Sequence, residues 1–193
     1  MGPVNPSNFV LLMCKFISPI STNIINEQLI SKMEQAFIEM INNNKGTIYK
    51  VSALYCREDE NRKDMVQEIV LQLWKSYPTF RKEANINTWV YRVALNTAIS
   101  NFRRESRKPD KTVLTEDTFQ LPDLPHFSDE KENLGLLKQA IDRLTEIEKA
   151  VIMLYLDEKS YDEIAEIMGI TNSNVGVRLN RIKNKLSKII KTN

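Results

Sequence analysis

The residues best suited to chemistry lie near the C-terminal end of the chain, where positive charge can meet an anionic partner. Residues 171–193 contain no acidic side chain and six basic ones: Arg178, Arg181, Lys183, Lys185, Lys188 and Lys191. Within this basic stretch stand Gly176 and Val177. Arginine and lysine contact phosphates, arginine also contacts base edges, and an apolar side chain can contact a thymine methyl in the major groove. The stretch favours binding to duplex DNA, with a solvated basic helix as the plainer alternative.

Two short helices are predicted to position these residues. Ser160 and Glu163 have the spacing of a capping box, which starts a helix over Tyr161–Met168, and Gly169 suits the turn that ends it. Thr171 can cap the next helix, whose buried face is predicted from apolar residues at steps of four, three and four: Val175, Leu179, Ile182 and Leu186. Its opposite face carries a polar set with one valine: Ser173, Asn174, Val177, Arg178, Asn180, Arg181 and Lys185. This pattern is typical of a helix-turn-helix unit.

A second surface is predicted on a helix from about Arg62 to Lys75. Its buried side is predicted to hold Val66, Ile69, Val70 and Leu73, and its other side lines up Asp64, Gln67, Glu68, Leu71 and Lys75. A leucine within a polar stripe is often incidental. Beside acidic and amide side chains it can instead mark a surface that docks on another protein.

A third surface is predicted on the helix from about Asn87 to Arg104, which is apolar on more than one side. A narrow stripe stays polar along its length, formed by Arg92, Asn96 and Arg103. We expect Trp89 and Val93 to lie in the core. Arginine and asparagine beside aromatic residues suit contacts with phosphates and unstacked bases.

The whole chain is predicted to be all-α, with two small helical domains joined by an acidic linker. We expect a leader over residues 1–26, a helical domain over 27–106, a proline-containing linker over 107–132 and a C-terminal domain over 133–193. In the first domain a helix over Glu27–Ile41 is predicted to break at Asn42–Asn44 and Gly46, and a second helix to follow over Thr47–Arg57. Three short helices are expected from about Asn133.

Composition excludes several functional classes. With Cys14, Cys56 and a single histidine, His126, no metal-binding spacing is present, so no metal and no cofactor are expected. No apolar run approaches the length of about 18 residues that a membrane span needs, and the chain is predicted to be cytoplasmic. No nucleophilic serine stands among convergent arginines, which argues against an enzyme such as a serine recombinase.

Two sequence blocks in this order resemble a known family. The first is DMVQEIVLQLWKSYPTF followed by NINTWVYRVALNTAISNFRRE, and the second is LTEIEKAVIMLYLDEKSYDEIAEIMGITNSNVGVRLNRIKNKL. Over roughly Gln35 to Ile190 the chain resembles a bacterial extracytoplasmic-function sigma factor. The resemblance implies a two-domain all-α subunit that binds core RNA polymerase and directs it to promoters, with domains corresponding to sigma regions 2 and 4. It also implies an anti-sigma factor as a partner.

The resemblance assigns roles to the three surfaces. Core polymerase would dock on Asp64, Gln67, Glu68 and Leu71. The loop Thr79–Asn87 would capture a flipped base of the −10 element, and the melted strand would lie along Arg92, Asn96 and Arg103. The −35 element would be bound by Asn172, Ser173, Asn174, Val177, Arg178 and Arg181, with Lys185 as a further contact.

The chain departs from the family pattern at two adjacent positions. The family more often has lysine and serine where this chain has Gly176 and Val177, so its −35 preference is expected to be its own. An autonomous helix-turn-helix regulator stays open as the alternative. Such a regulator would bind a specific duplex site without polymerase.

Overall fold

Long helices form the first part of the described chain. The computed structural model describes residues 24–80, 85–107, 135–137 and 139–192, and within these ranges the backbone forms helices and turns without any strand. Helix α1 runs over Ile24–Tyr55, α2 over Asp59–Ser76 and α3 over Ile86–Glu105, with a 3-10 turn at Tyr77–Thr79 between the last two. The all-α prediction is confirmed. The chain divides into two compact units between Lys45 and Gly46.

Helix α1 is continuous, so the predicted break at Asn42–Asn44 and Gly46 is wrong. Buried residues recur at helical spacing on both sides of the asparagine run: Phe37, Met40, Ile41, Ile48 and Val51. Asn44 lies on the same buried face, and its side-chain Nδ2 donates a hydrogen bond to the Met40 carbonyl over 2.9 Å. The helix persists because Asn44 satisfies its amide within the helix and the apolar face continues past it.

Helices α2 and α3 pack against each other. The buried residues of α2 are Arg62, Met65, Ile69, Val70 and Leu73, and those of α3 are Thr88, Val90, Tyr91, Ala94, Leu95, Ala98 and Ile99. Val66 was predicted to be buried, but it is half-buried and Met65 takes the buried position. Trp89 and Val93 are likewise half-buried, so their assignment to the core is wrong. Asn85 starts α3 because its side chain accepts a hydrogen bond from the Asn87 N–H.

The C-terminal part combines short helices with one long helix. Residues 135–137 and 139–142 are helical, α4 runs over Glu146–Leu156, α5 over Tyr161–Met168 and α6 over Asn172–Thr192. A capping box starts α4, with reciprocal hydrogen bonds between Thr145 and Glu148. Helices α4, α5 and α6 all contact one another. The buried residues Ala150 to Leu154 make α4 the most deeply buried helix of this group.

Helix α3 also contacts α4 and α5, and polar side chains stand at this junction. Asp157, which follows α4, accepts hydrogen bonds from the Lys50 ammonium and the Tyr91 hydroxyl. The Tyr55 hydroxyl donates to the Glu146 carbonyl over 2.7 Å. Arg57 lies 3.3 Å from a carboxylate oxygen of Asp142. We call these three sets of contacts the polar junction.

Ionisation at the polar junction follows from its burial and pairing. Burial, and then the hydrogen bond to Asp157, raise the pKa of Tyr91 to about 12. Burial also raises the pKa of Tyr55 above its ordinary value. Burial opposes the charge on Asp157, but the hydrogen bonds from Lys50 and Tyr91 outweigh it and hold the pKa of this carboxyl below its ordinary value. At neutral pH a neutral Tyr91 therefore donates to an ionised Asp157, and Tyr55, which donates to the Glu146 carbonyl, is also neutral.

Several predictions fall on residues outside the described ranges. These include nearly all of the leader over 1–26, all of the linker over 107–132 except Arg107, and residues 81–84 of the loop between α2 and α3. The predicted domain boundaries stay predictions. In the part of the chain that the structure describes, no helix is both long and apolar enough to cross a bilayer.

Candidate nucleic-acid interface

The turn between α5 and α6 is built as the sequence predicts. The Ser160 hydroxyl accepts from the Glu163 N–H over 3.2 Å, and a Glu163 carboxylate oxygen accepts from the Ser160 N–H over 2.9 Å. Gly169 adopts a left-handed conformation with φ of 66°, which an L side chain rarely adopts, and so ends α5. The Thr171 hydroxyl then accepts from the Asn174 N–H over 3.3 Å. The helix-turn-helix is thus specified locally at three points, by the hydrogen-bonded caps at Ser160 and Thr171 and by the left-handed Gly169.

The buried side of α6 is the side that the sequence pattern predicts. Val175, Leu179, Ile182 and Leu186 are all buried. On α5, Ile164 and Ile167 are buried, whereas Ala165 and Met168 are half-buried. Because α6 is held by this apolar face, its polar side is turned to solvent.

Six of the seven residues predicted for −35 binding are exposed: Asn172, Ser173, Asn174, Val177, Arg178 and Arg181. Asn172 is also tied to α5, since its Nδ2 donates to a carboxylate oxygen of Asp162 over 2.5 Å. The structure brings the six residues together on the outward side of the first three turns of α6.

Lys185 is placed differently from the other six. It is half-buried, and its Nζ lies 2.8 Å from Oε2 of Glu148 on α4. That oxygen also accepts from the Thr145 N–H over 2.8 Å. Burial opposes the charge on Glu148, but the bonds from Lys185 and Thr145 outweigh it and lower the pKa of this carboxyl. In this conformation the Lys185 ammonium neutralises an acid at the edge of the interface.

A shallow groove runs beside α6 on the side that faces α4. It is lined by Glu148, Val151, Asn174, Val177, Arg178, Arg181 and Ile182. Both arginines predicted to contact DNA therefore border one concave surface. On the other flank of α6, the ring of Tyr161 lies near Gly176: a Cβ atom placed on Gly176 would be 3.6 Å from its edge. Tyr161 is exposed, and the sequence pattern alone does not show that it lies beside Gly176.

The stripe predicted on α3 is also exposed. Arg92, Asn96 and Arg103 all lie at the surface on one side of the helix. On α2 the residues predicted to dock on core polymerase differ in their exposure. Asp64 and Gln67 are exposed, whereas Glu68 and Leu71 are half-buried and Glu68 accepts from the Gln72 side chain over 2.8 Å.

Aromatic rings cluster where the loop between α2 and α3 begins and ends. The Trp89 ring lies 4.8 Å from the Phe80 ring and 6.3 Å from the Tyr77 ring, measured between centroids. All three residues are half-buried. The periodicity of α3 predicts Trp89 to be in the core. The sequence feature that indicates an aromatic cluster instead is the presence of Tyr77 and Phe80 on either side of Pro78. The rings fix the two ends of this loop next to the α3 stripe.

Two family models match the two parts of the chain. A model described as Sigma-70 region 2 matches residues 40–108, and one described as Sigma-70, region 4 matches residues 134–186. The α2 and α3 surfaces fall in the first match, and the helix-turn-helix falls in the second.

Sequence relatives agree with these matches. The ECF RNA polymerase sigma-E factor of Escherichia coli (strain K12) is 30% identical over 143 residues, which cover 66% of this chain and 75% of that protein. The RNA polymerase sigma factor YlaC of Bacillus subtilis (strain 168) is 29% identical over 135 residues, which cover 67% of this chain and 77% of that protein.

Solved structures share the fold. The sigma factor RpoE in complex with the anti-sigma factor NepR from Bartonella quintana superposes with a TM-score of 0.66 at 20% identity, covering 81% of this chain and 98% of that one. CnrH in complex with the cytosolic domain of CnrY gives a TM-score of 0.60 at 17% identity, covering 83% and 90%. With both regions matched and a relative at 30% identity, the chain belongs to the extracytoplasmic-function RNA polymerase sigma factors and directs promoter-specific transcription.

Proposed function

We propose that the three surfaces divide the work of promoter recognition. Helix α6 binds the −35 element as duplex DNA through Asn172, Ser173, Asn174, Val177, Arg178 and Arg181. The α3 stripe and the loop Thr79–Asn87 hold the melted −10 strand. The α2 set docks on core polymerase. The observation that carries the proposal is the exposure of the six α6 residues on a capped helix whose opposite face is buried.

Charge and geometry support duplex binding by α6. No acid occurs from residue 171 onward, and a helix of this size fits the major groove. Arg178 and Arg181 can form paired hydrogen bonds to guanine or bind phosphates. Lys185 contacts a phosphate only if its ammonium leaves Glu148. We therefore expect Lys185 to contribute less to −35 binding than the two arginines do.

The chain is expected to bind promoter DNA weakly without polymerase. Its net charge is only +2, and few phosphate contacts give low affinity at physiological salt. Polymerase holds both DNA-binding surfaces on one complex, which raises the effective concentration of the second contact once the first has formed. Two individually weak surfaces therefore give a specific complex.

The similarity to solved sigma factors also supports regulation by a partner protein. RpoE was solved in complex with an anti-sigma factor, and we propose that an anti-sigma protein also binds this chain. The proposed role involves binding and no covalent step, and it places the protein in the cytoplasm with the polymerase. Among the described residues there is no cluster of three or more His, Cys, Asp or Glu able to hold a metal ion.

Arginine substitutions on α6 test the assignment. In transcription with bacterial core polymerase and a promoter library, Arg178→Ala and Arg181→Ala should each reduce promoter use by about fivefold or more, since a paired arginine–guanine contact contributes about 1–3 kcal/mol. Affinity for core polymerase should not change. Lys191→Ala is the matched control, because it removes a positive charge from the far end of the same helix. A loss of core binding equal to the loss of promoter use would show that α6 docks on protein.

A further inference from the structure

Val177 is an apolar side chain on the outermost line of α6. It exposes 48% of its surface. At 3.6 residues per turn it points almost directly away from the buried line of Val175, Leu179, Ile182 and Leu186. Its neighbours one turn away on the same side are polar: Ser173, Asn174, Asn180 and Arg181. A β-branched residue at a solvated helix position gains no packing and lowers helix propensity slightly.

The flank of Val177 towards α5 is open. Gly176 has no side chain, and the ring edge of Tyr161 already lies 3.6 Å from the position of a Cβ atom there. A long side chain at this position would have to pass the Tyr161 ring and would project beside Val177. With glycine, no alkyl chain or charge from residue 176 stands next to the valine methyls.

The other flank of Val177 carries the two arginines. The groove beside α6 is lined by Val177 as well as by Arg178 and Arg181. This places one apolar group beside two guanidinium groups on the side of a helix that has no acidic residue. Arginine contacts guanine and an apolar group contacts the thymine methyl, so the combination fits the edge of a mixed base sequence in the major groove.

We propose that Val177 is a specificity-determining residue that contacts the 5-methyl group of one thymine in the −35 element. The inference rests on the proposed function, because it requires α6 to lie in the major groove. It goes further by naming the chemical group that is recognised and the side chain that contacts it.

Removing single methyl groups from the DNA tests the proposal. Holoenzyme is assembled from this chain and core polymerase, and its affinity is measured for promoter duplexes in which each thymine of the −35 element, in turn, is replaced by deoxyuridine. One position should lose about threefold to fourfold in affinity, which corresponds to burial of one methyl group. The other thymine positions should change less.

The matching protein variant is Val177→Ser, which removes the two methyl groups and leaves a smaller, polar side chain. It should bind the thymine and deoxyuridine duplexes equally well at the sensitive position. Asn184→Ala, a change on the same outward side of α6, should keep the wild-type difference. Because Val177 is exposed, thermal unfolding of Val177→Ser should match that of the wild type.

The outcomes separate the inference from the proposed function. If holoenzyme binds the promoter but no thymine position responds, or if Val177→Ser keeps the response, the methyl contact is refuted and promoter binding by α6 stands. If Val177→Ser changes no promoter affinity but weakens binding of a partner protein, Val177 belongs to a protein interface. If holoenzyme gives no −35-dependent binding, both the proposed function and the inference fail.

Discussion

The interior of the helix-turn-helix and the polar junction are built from different interactions. In the interior between α4, α5 and α6 the buried side chains are apolar, with Ile164, Val175 and Leu179 almost fully buried, and polar contacts such as Lys185–Glu148 lie at the edge. Between this group and the α3 side the described polar contacts include tyrosine hydroxyls and ion pairs, centred on Asp157. Burial of an apolar side chain stabilises by about 1.5–3 kcal/mol, whereas a partly exposed ion pair contributes at most about 1 kcal/mol.

This difference indicates which contacts can be lost at a small cost in free energy. The side chains of Lys50 and Arg57 are 48% and 60% exposed, so their ion pairs are screened by water and salt. Separating the two helical groups at the polar junction is therefore expected to cost less than unfolding the helix-turn-helix. We therefore expect both helical groups to stay folded when the contacts of the polar junction are lost.

The largest expected effect is in the apolar interior. Leu179→Ala removes a side chain that is 1% exposed and should lower the free energy of unfolding of the helix-turn-helix by about 2–5 kcal/mol. Urea unfolding followed by circular dichroism measures this loss. Val177→Ala, two positions away but exposed, should change stability by less than about 0.5 kcal/mol. Equal losses in the two variants would contradict the assignment of the buried face.

A smaller effect is expected at the polar junction. Asp157→Ala leaves the Tyr91 hydroxyl, on a residue only 5% exposed, without this partner, and should cost about 1–3 kcal/mol. Fluorescent labels placed on α2 and α6 should then report a larger mean separation, while far-ultraviolet circular dichroism stays unchanged. Arg57→Ala is the graded control, because its exposed ion pair should contribute about 1 kcal/mol or less. Loss of helix content with Asp157→Ala would mean that the junction is part of the folding core.

The smallest expected effect is a pH dependence. The pKa of Asp157 is below its ordinary value in the folded chain, so its contribution is present above the unfolded pKa of about 4 and is lost as pH falls through the folded pKa. The stability difference between wild type and Asp157→Asn should therefore shrink as the pH is lowered below about 4. Unfolding midpoints of both proteins over an acid pH series measure it, and a difference that stays constant would argue against ionised Asp157 as the cause.

The same comparison explains what the sequence could predict. The helix-turn-helix depends on residues within about thirty positions of one another, and its caps, glycine turn and buried line on α6 all follow from local spacing. The polar junction joins Lys50 to Asp157, which are 107 positions apart. No periodicity links such residues, so the junction could not be inferred.

Two other residues show the limits of reading a helix from its own sequence. The asparagine run in α1 looks like a helix break by composition, but the buried bond from Asn44 to Met40 depends on the environment of that face. Lys185 was grouped with the exposed basic residues of α6 from its angle on the helix, whereas its pairing with Glu148 depends on the position of α4. The first case depends on a hydrogen bond within one helix and the second on a tertiary contact.

The central claim is that this chain binds promoters by two weak surfaces that polymerase holds together. The most direct test is footprinting of one promoter fragment, at the same physiological salt concentration, by the protein alone and by the protein with core polymerase. We expect the holoenzyme to protect both the −35 and −10 elements, and the protein alone to protect neither at the same concentration. Protection of the −35 element by the protein alone, with an affinity equal to that of the holoenzyme, would contradict the account.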